Sequence, residues 1–143
     1  MIMKYIKAIF AAFCLLGCVC CTKPNSGEEA LLEVNRNNIA GEWELVEWNG
    51  NSLEEGSFFR INLVRNDGTF TIVPNMDAFP EIPREITGRY DLREDEVYGS
   101  VISGIYDHDS GFWSHEYSIT SLTDVRMQWV ATDDPDFVQI FER

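Results

Sequence analysis

Two histidines and two short acidic loops contain the side chains whose types could hold a metal ion. His108 and His115 lie seven residues apart, and Asp107, Asp109 and Gly111 have the spacing that opens a calcium-binding loop. Such a loop needs a bidentate acid at its twelfth position, which is a serine here. Two imidazoles without a third ligand do not make a catalytic zinc site. We therefore expect a hydrogen-bonded turn, a surface histidine pair, no metal ligand and no cofactor.

Motifs for nucleophilic catalysis and for phosphate binding do not occur in this sequence. There is no Gly-x-Ser-x-Gly, the ten glycines stand singly, and every cysteine lies in the first 21 residues. The chain has 24 acidic and 11 basic residues, which give a net charge of −13. An acidic chain lacks the basic face that nucleic-acid binding requires. We expect neither an enzyme nor a nucleic-acid partner.

The N-terminal cysteines belong to a targeting segment. Lys4 and Lys7 precede an apolar run over residues 8–16, which is too short for a membrane span of about 20 residues. This order is typical of a secretory signal. Residues 15–18 read Leu-Leu-Gly-Cys, which resembles the bacterial lipobox. The resemblance implies a signal peptide over residues 1–17 and a lipid on Cys18. An ordinary cleaved signal is the alternative.

Residues 18–38 are predicted to form a lipid-anchored tether. The sequence of residues 22–29, TKPNSGEE, is polar and rich in turn residues. We expect residues 29–34 to form one or two helical turns, which residues 35–38 then end. Removal of residues 1–17 takes away Lys4 and Lys7 and no acid, so the exported chain has a net charge of −15.

From residue 39 onward the apolar residues recur with a period of two, which is typical of β-strands. One domain is expected at this length. We predict that residues 39–143 form an all-β domain, an eight-stranded antiparallel up-and-down β-barrel. The predicted strands contain residues 43–45, 59–63, 70–72, 88–92, 98–106, 117–119, 125–129 and 137–141.

The lengths of the connections alternate along the predicted meander. Asn66-Asp67-Gly68 is a strong hairpin signal, and residues 93–96 and 121–124 are also short. The longer connections are residues 50–56, 74–85, 107–111 and 132–136. Successive connections of a meander lie at opposite ends, so one end should have tight turns and the other long loops. This arrangement favours a barrel with one closed end and one open mouth.

Gly41 and Trp43 open the first strand as Gly-x-Trp ahead of this meander. The layout resembles the lipocalin-like domains of bacterial lipoproteins, particularly those of the Bacteroidetes type. The stretches that match are IAGEWELVEW, NDGTF, GRYDL, SGIY, EYSI and DDPDFVQIFER. In lipocalins an arginine from the last strand covers the motif tryptophan. The resemblance therefore implies that Arg143 covers Trp43.

Several large apolar side chains fall near the predicted mouth and could form a ligand site. They are Trp48, Met76, Phe79, Tyr106, Phe112 and Trp113. Tryptophan and tyrosine offer apolar area together with one polar atom. The alternative is that these side chains fill the barrel, because eight strands enclose only enough space for side chains or one small ligand. Asp133, Asp134 and Asp136 fall at the same end as Asp107 and Asp109, so an acidic rim should disfavour anionic ligands.

We therefore predict a lipid-anchored, non-catalytic protein of the bacterial cell envelope, at the outer membrane, either periplasmic or surface-exposed. It should bind a small hydrophobic or amphipathic ligand at the open end of the barrel. The alternative is a protein-interaction or accessory lipoprotein with a filled core, whose protein partner the sequence does not identify. A cavity of about 300 Å³ or more favours the first prediction. Exposed Phe79 and Trp113 would favour the second.

Overall fold

A computed structural model describes residues 29–75 and 85–143. The signal peptide, Cys18 and the candidate ligand residues Met76 and Phe79 lie outside the described residues. One helical turn, α1, precedes nine strands. The elements are α1 (Arg36–Ile39), β1 (Gly41–Trp48), β2 (Asn51–Ser52), β3 (Phe58–Val64), β4 (Thr69–Asn75), β5 (Ile86–Asp95), β6 (Gly99–Tyr106), β7 (Tyr117–Leu122), β8 (Arg126–Ala131) and β9 (Val138–Glu142).

The strands form a closed antiparallel barrel. Each of β3 to β9 pairs with its neighbour in sequence, β3 pairs with β1, and β1 also pairs with β9. These eight strands are the predicted ones, so the predicted barrel is confirmed. The additional strand β2 covers only two residues and pairs with the end of β1. Register shifts between Leu45 and Glu47 and between Ile119 and Ser121 are irregularities of the kind that help a sheet to bend.

Alternation along the strands separates the barrel interior from solvent. In β5, Gly88 and Tyr90 are buried, whereas Thr87, Arg89 and Asp91 are exposed. In β3, Ile61 and Leu63 are buried in the same way. This period of two is the sequence signal from which the strands were predicted, since one face of each strand packs on the core.

The connections sort by length as predicted. Residues 65–68, 96–98 and 123–125 are short turns at one end, and Gly68 of the first turn has a φ of 62°. The connections at the other end are longer and cover residues 49–57, 76–85, 107–116 and 132–137. We call these the turn end and the loop end of the barrel.

The chain before β1 closes the turn end. Leu32 N donates a hydrogen bond to Leu122 O at 2.8 Å, and Ile39 is fully buried. The predicted helix over residues 29–34 is wrong, and the helical turn begins at Arg36 instead. Asn35 caps it, because its side chain accepts a hydrogen bond from Asn38 N at 2.9 Å. Residues 35–38 were expected to end a helix, but Asn35 instead starts α1.

Residues 29–38 were assigned to the tether, but they lie against the barrel. The side chains of Leu32 and Val34 pack against the core. Glu29 accepts a hydrogen bond from the Thr123 hydroxyl at 2.6 Å. The described part of the chain therefore reaches the barrel at its turn end, ten residues earlier than the predicted domain boundary. In the described residues, no helix has the length and apolar character needed to cross a membrane.

Candidate functional site

A cavity of about 340 Å³ lies at the loop end, inside the barrel. Strands from around the barrel contribute to its wall, and aromatic rings make up most of it. The lining residues are Trp48, Phe59, Ile61, Ile72, Tyr106, Trp113, Ser114, His115, Tyr117, Trp129, Phe137 and Gln139. At the turn end, by contrast, Trp43 is fully buried. The two ends of the barrel therefore differ in packing as well as in loop length.

Three predicted ligand residues, Trp48, Tyr106 and Trp113, line this cavity. Phe112, also predicted as a ligand residue, is not brought to this cavity: its side chain is 75% exposed, and it is not among the lining residues. Phe112 forms an isolated antiparallel β-bridge with Ile105. The next residue, Trp113, donates a hydrogen bond from its backbone N to Gly104 O at 2.9 Å. Successive residues of an extended segment point in opposite directions. The neighbour of an inward tryptophan is therefore an outward phenylalanine.

Trp113 enters the barrel because Gly104 leaves room for it. A Cβ atom at Gly104 would lie 2.1 Å from Cε2 and 2.4 Å from Nε1 of the indole. Inside the barrel, the Trp113 ring stacks on Trp129, with the ring centroids 5.8 Å apart and 27° between the planes. The ring of Phe70 lies 5.1 Å from Trp113 on the side of the core. A residue from a loop thus forms part of the cavity wall.

Further aromatic rings complete the wall. Tyr117 lies 5.3 Å from Trp129, and Phe137 lies 5.4 Å from Trp48 in an edge-to-face contact. Sequence reasoning did not assign Phe59, Tyr117, Trp129 or Phe137 to the site. The signal was present, since each occupies an inward position of a strand or loop near the mouth, but the only aromatic residues chosen were those of the loops together with Trp48 and Tyr106.

Gln139 places a polar carboxamide in this apolar wall. The residue is only 7% exposed, and it lies opposite Trp48 on one side and Trp129 on the other. Its side chain makes no hydrogen bond to a residue that the structure describes. In the sequence it appeared only as a break in the last apolar run. Its amide atoms are not fully buried, since the carboxamide faces the cavity, where it can serve as a polar contact for a bound molecule.

Two phenols and two indole N–H groups add neutral hydrogen-bond donors to the wall. Burial, with smaller contributions from Tyr106 and Asp133, raises the pKa of Tyr117 to about 12. Burial, followed by Asp109, also raises the pKa of Tyr106. Both phenols therefore keep their protons at neutral pH. The buried Nε1 atoms of Trp113 and Trp129 have no hydrogen-bond partner among the described residues.

His115 joins two loops at the edge of the cavity. Its Nδ1 lies 2.7 Å from Oδ1 of Asp133, and its ring lies 4.7 Å from the ring of Phe137. The side chain of His115 is 23% exposed and that of Asp133 is 63% exposed. The contact ties residues 107–116 to residues 132–137, so it fixes part of the mouth.

Carboxylates surround the mouth. We call Asp107, Asp109, Asp133, Asp134 and Asp136 the acidic rim, and all five are exposed. Within the described residues of the long connections there is no lysine or arginine. Asp109 and Asp134 also stabilise their loops, since they accept hydrogen bonds from Gly111 N at 2.7 Å and from Asp136 N at 3.1 Å. The rim therefore carries charge of one sign.

Across residues 29–75 and 85–143, no group of three His, Cys, Asp or Glu side chains is placed to hold a metal ion. His115 and Asp133 form a pair, and His108 Nε2 lies 3.3 Å from Asp109 Oδ2 on the surface. The arrangement supplies apolar area, neutral hydrogen-bond groups and an acidic entrance.

Fold and site together define a closed eight-stranded antiparallel β-barrel with an aromatic cavity at the end of the long loops. Comparison with protein-family models, with curated proteins and with solved structures finds no match.

Proposed function

We propose that this protein is a non-catalytic binding protein that holds a small hydrophobic or amphipathic molecule in the barrel. The cavity at the loop end carries this proposal. Its volume of about 340 Å³ lies within the range of small-molecule sites, which are mostly apolar with a few polar groups. The aromatic wall would supply apolar contact, and Gln139, Tyr106 and Tyr117 would orient the ligand.

The hydrogen-bond partners of His115 favour a binding function over a catalytic one. Its contact with Asp133 resembles the pair in which a carboxylate orients a general base. Such a pair also needs a nucleophile within hydrogen-bond reach of the histidine. Among the described residues, no serine, threonine or tyrosine hydroxyl donates to His115. The pair instead connects two loops.

The position of the chain start supports a mouth that faces away from the membrane. The lipobox-like residues before Cys18 support an anchor at the N-terminus, and two or three acyl chains hold a protein stably on a bilayer. The described chain reaches the barrel at the turn end, where Glu29 contacts Thr123. The cavity is at the opposite end. Loss of detergent-phase partitioning in Cys18→Ser would support the anchor, whereas unchanged partitioning would contradict it.

The alternative function, a protein-interaction module with a filled barrel, receives less support. It requires Trp113 on the surface, but this side chain is only 9% exposed. Phe112 and Ile105 remain as a small apolar surface, 75% and 42% exposed. Phe112→Ala therefore separates the two functions, because it changes this surface and leaves the cavity lining intact.

The test is a titration of the purified protein with fatty acids, retinoids and sterols, followed by tryptophan fluorescence. Mass spectrometry of compounds extracted from protein purified from its native host would supply further candidates. A binding compound should bind Phe112→Ala normally and Ile72→Phe weakly, because the larger ring would occupy the cavity. Equal binding to Ile72→Phe, or no saturable binding by any compound, would contradict the proposal.

A further inference from the structure

We infer that the cavity selects an organic cation. The cation would be a tertiary or quaternary ammonium group attached to an aromatic or aliphatic body. This inference rests on the proposed function, since it specifies the ligand of the same cavity. Two separate features carry it. One is the composition of the cavity wall, and the other is the charge of the acidic rim.

The wall provides aromatic rings without any positive side chain. Three tryptophans, Trp48, Trp113 and Trp129, and two tyrosines line it. A cation near the face of a tryptophan or tyrosine ring is attracted by the electrons of the ring. Among the described residues that line the cavity there is no lysine or arginine. His115 is the one basic residue in the described part of the lining, and its Nδ1 lies within hydrogen-bond distance of Asp133.

The acidic rim would raise the concentration of cations at the entrance. Clefts bordered by charge of one sign concentrate ligands of the opposite sign. Asp133 and Asp109 have side chains that are 63% and 57% exposed, so their charge faces the solvent through which a ligand arrives. An anion would be repelled at the rim and would meet no guanidinium or ammonium group among the described lining residues.

The neutral interior also indicates which cations fit. Tyr106 and Tyr117 keep their protons, and Gln139 is uncharged, so the wall offers no formal negative charge to a strongly hydrated primary ammonium. Removing water from such a group without a charged partner is costly. A tertiary or quaternary ammonium spreads its charge over carbon substituents and suits aromatic contacts better. Gln139 can accept or donate a hydrogen bond to a polar atom elsewhere in the ligand.

Three probes with the same benzyl body test the inference by calorimetric titration. They are benzyltrimethylammonium, its neutral carbon isostere neopentylbenzene, and benzylsulfonate. We expect the cation to bind about tenfold more tightly than the neutral isostere, and the anion to bind weakest. If the neutral or the anionic probe binds saturably and at least as tightly as the cation, the cation assignment is overturned and the proposed function stays in place. Absence of saturable binding by all three, each tested up to its solubility limit, would overturn the cation assignment alone if a fatty acid, retinoid or sterol binds. It would overturn both if none of those compounds binds either.

Charge variants locate the source of the preference. Asp134→Asn/Asp136→Asn removes two charges of the acidic rim, keeps the Asp134 side-chain carbonyl that accepts from residue 136, and leaves the contact between His115 and Asp133 in place. It should weaken cation binding about fivefold at low salt, since each exposed carboxylate contributes about two- to threefold. Binding of the neutral probe should not change. Asp67→Asn/Asp124→Asn removes the same charge at the turn end and is the matched control. Equal weakening by both pairs would overturn the role of the acidic rim.

Discussion

The guanidinium group of Arg143 lies over the indole ring of Trp43, with its central carbon 4.1 Å from the ring centroid. The same group donates hydrogen bonds to Ala40 O at 2.7 Å and to Asp124 O at 2.7 Å. Trp43 Nε1 in turn donates to Ile39 O at 2.8 Å. The last residue of the chain thus joins the start of β1 to a tight turn. This contact, which the lipocalin resemblance implies for the two positions, closes the end of the barrel away from the cavity.

Arg143→Ala should lower the free energy of unfolding by about 2 kcal/mol, because two charge-assisted hydrogen bonds and a cation–π contact are lost together. Arg126→Ala is the control, since Arg126 pairs with Glu142 at the surface and such pairs contribute about 0–1 kcal/mol. Urea denaturation of both variants measures the difference. Equal stability losses would show that the contact with Trp43 is incidental.

Gly104→Ala should destabilise the barrel by about 2 kcal/mol, since the added methyl group overlaps the Trp113 ring. The penalty should shrink by about 1 kcal/mol or more in a Trp113→Leu background, where the flat ring is absent. A double-mutant cycle with urea denaturation checks this coupling. Additive effects would contradict the placement of the indole against Gly104.

The raised pKa of Tyr117 predicts that the protein loses stability in alkaline solution. Its pKa rises from 10.0 to about 12 on folding, chiefly through burial. The folded state therefore holds its proton to higher pH than the unfolded state does. The stabilisation is complete below pH 10 and is lost as pH rises through about 12, by at most about 2 kcal/mol. Denaturation across this range should be steeper for the wild type than for Tyr117→Phe, and parallel curves would refute the burial of the phenol.

Gln139→Leu should leave the free energy of unfolding unchanged within about 0.5 kcal/mol, because the carboxamide faces the cavity and is not fully buried. Ligand binding should weaken at the same time, since a polar contact disappears from the cavity. Gln128→Leu is the matched control, because the Gln128 amide donates to Thr120 Oγ1 at 3.0 Å. A less stable Gln139→Leu would indicate that the carboxamide is satisfied in the folded protein.

Period-two patterning and connection length were sufficient to predict the barrel and its two different ends. Both signals are local, and strand pairing in a meander follows the order of the chain. The N-terminal segment was misassigned because its helix depends on a cap at Asn35 and on burial of Ile39 against the barrel. Phe112 and Trp113 are adjacent in sequence and lie on opposite sides of the sheet. Composition alone did not show which of them enters the cavity.

The four tryptophans permit a direct test of the central claim, which is that the ligand occupies the barrel at the loop end. Trp48, Trp113 and Trp129 line the cavity, whereas Trp43 is buried at the turn end and bonded to Ile39. Each gives one indole N–H signal in the nitrogen–proton correlation spectrum of labelled protein. Single Trp→Phe variants assign the signals.

Benzyltrimethylammonium and neopentylbenzene would each be added to the labelled protein. With either probe that binds, the signals of Trp48, Trp113 and Trp129 should shift together along one saturation curve. The signal of Trp43 should stay in place as an internal control. Saturable binding that moves Trp43 instead, or that leaves the three cavity signals unchanged, would contradict a ligand site inside this barrel.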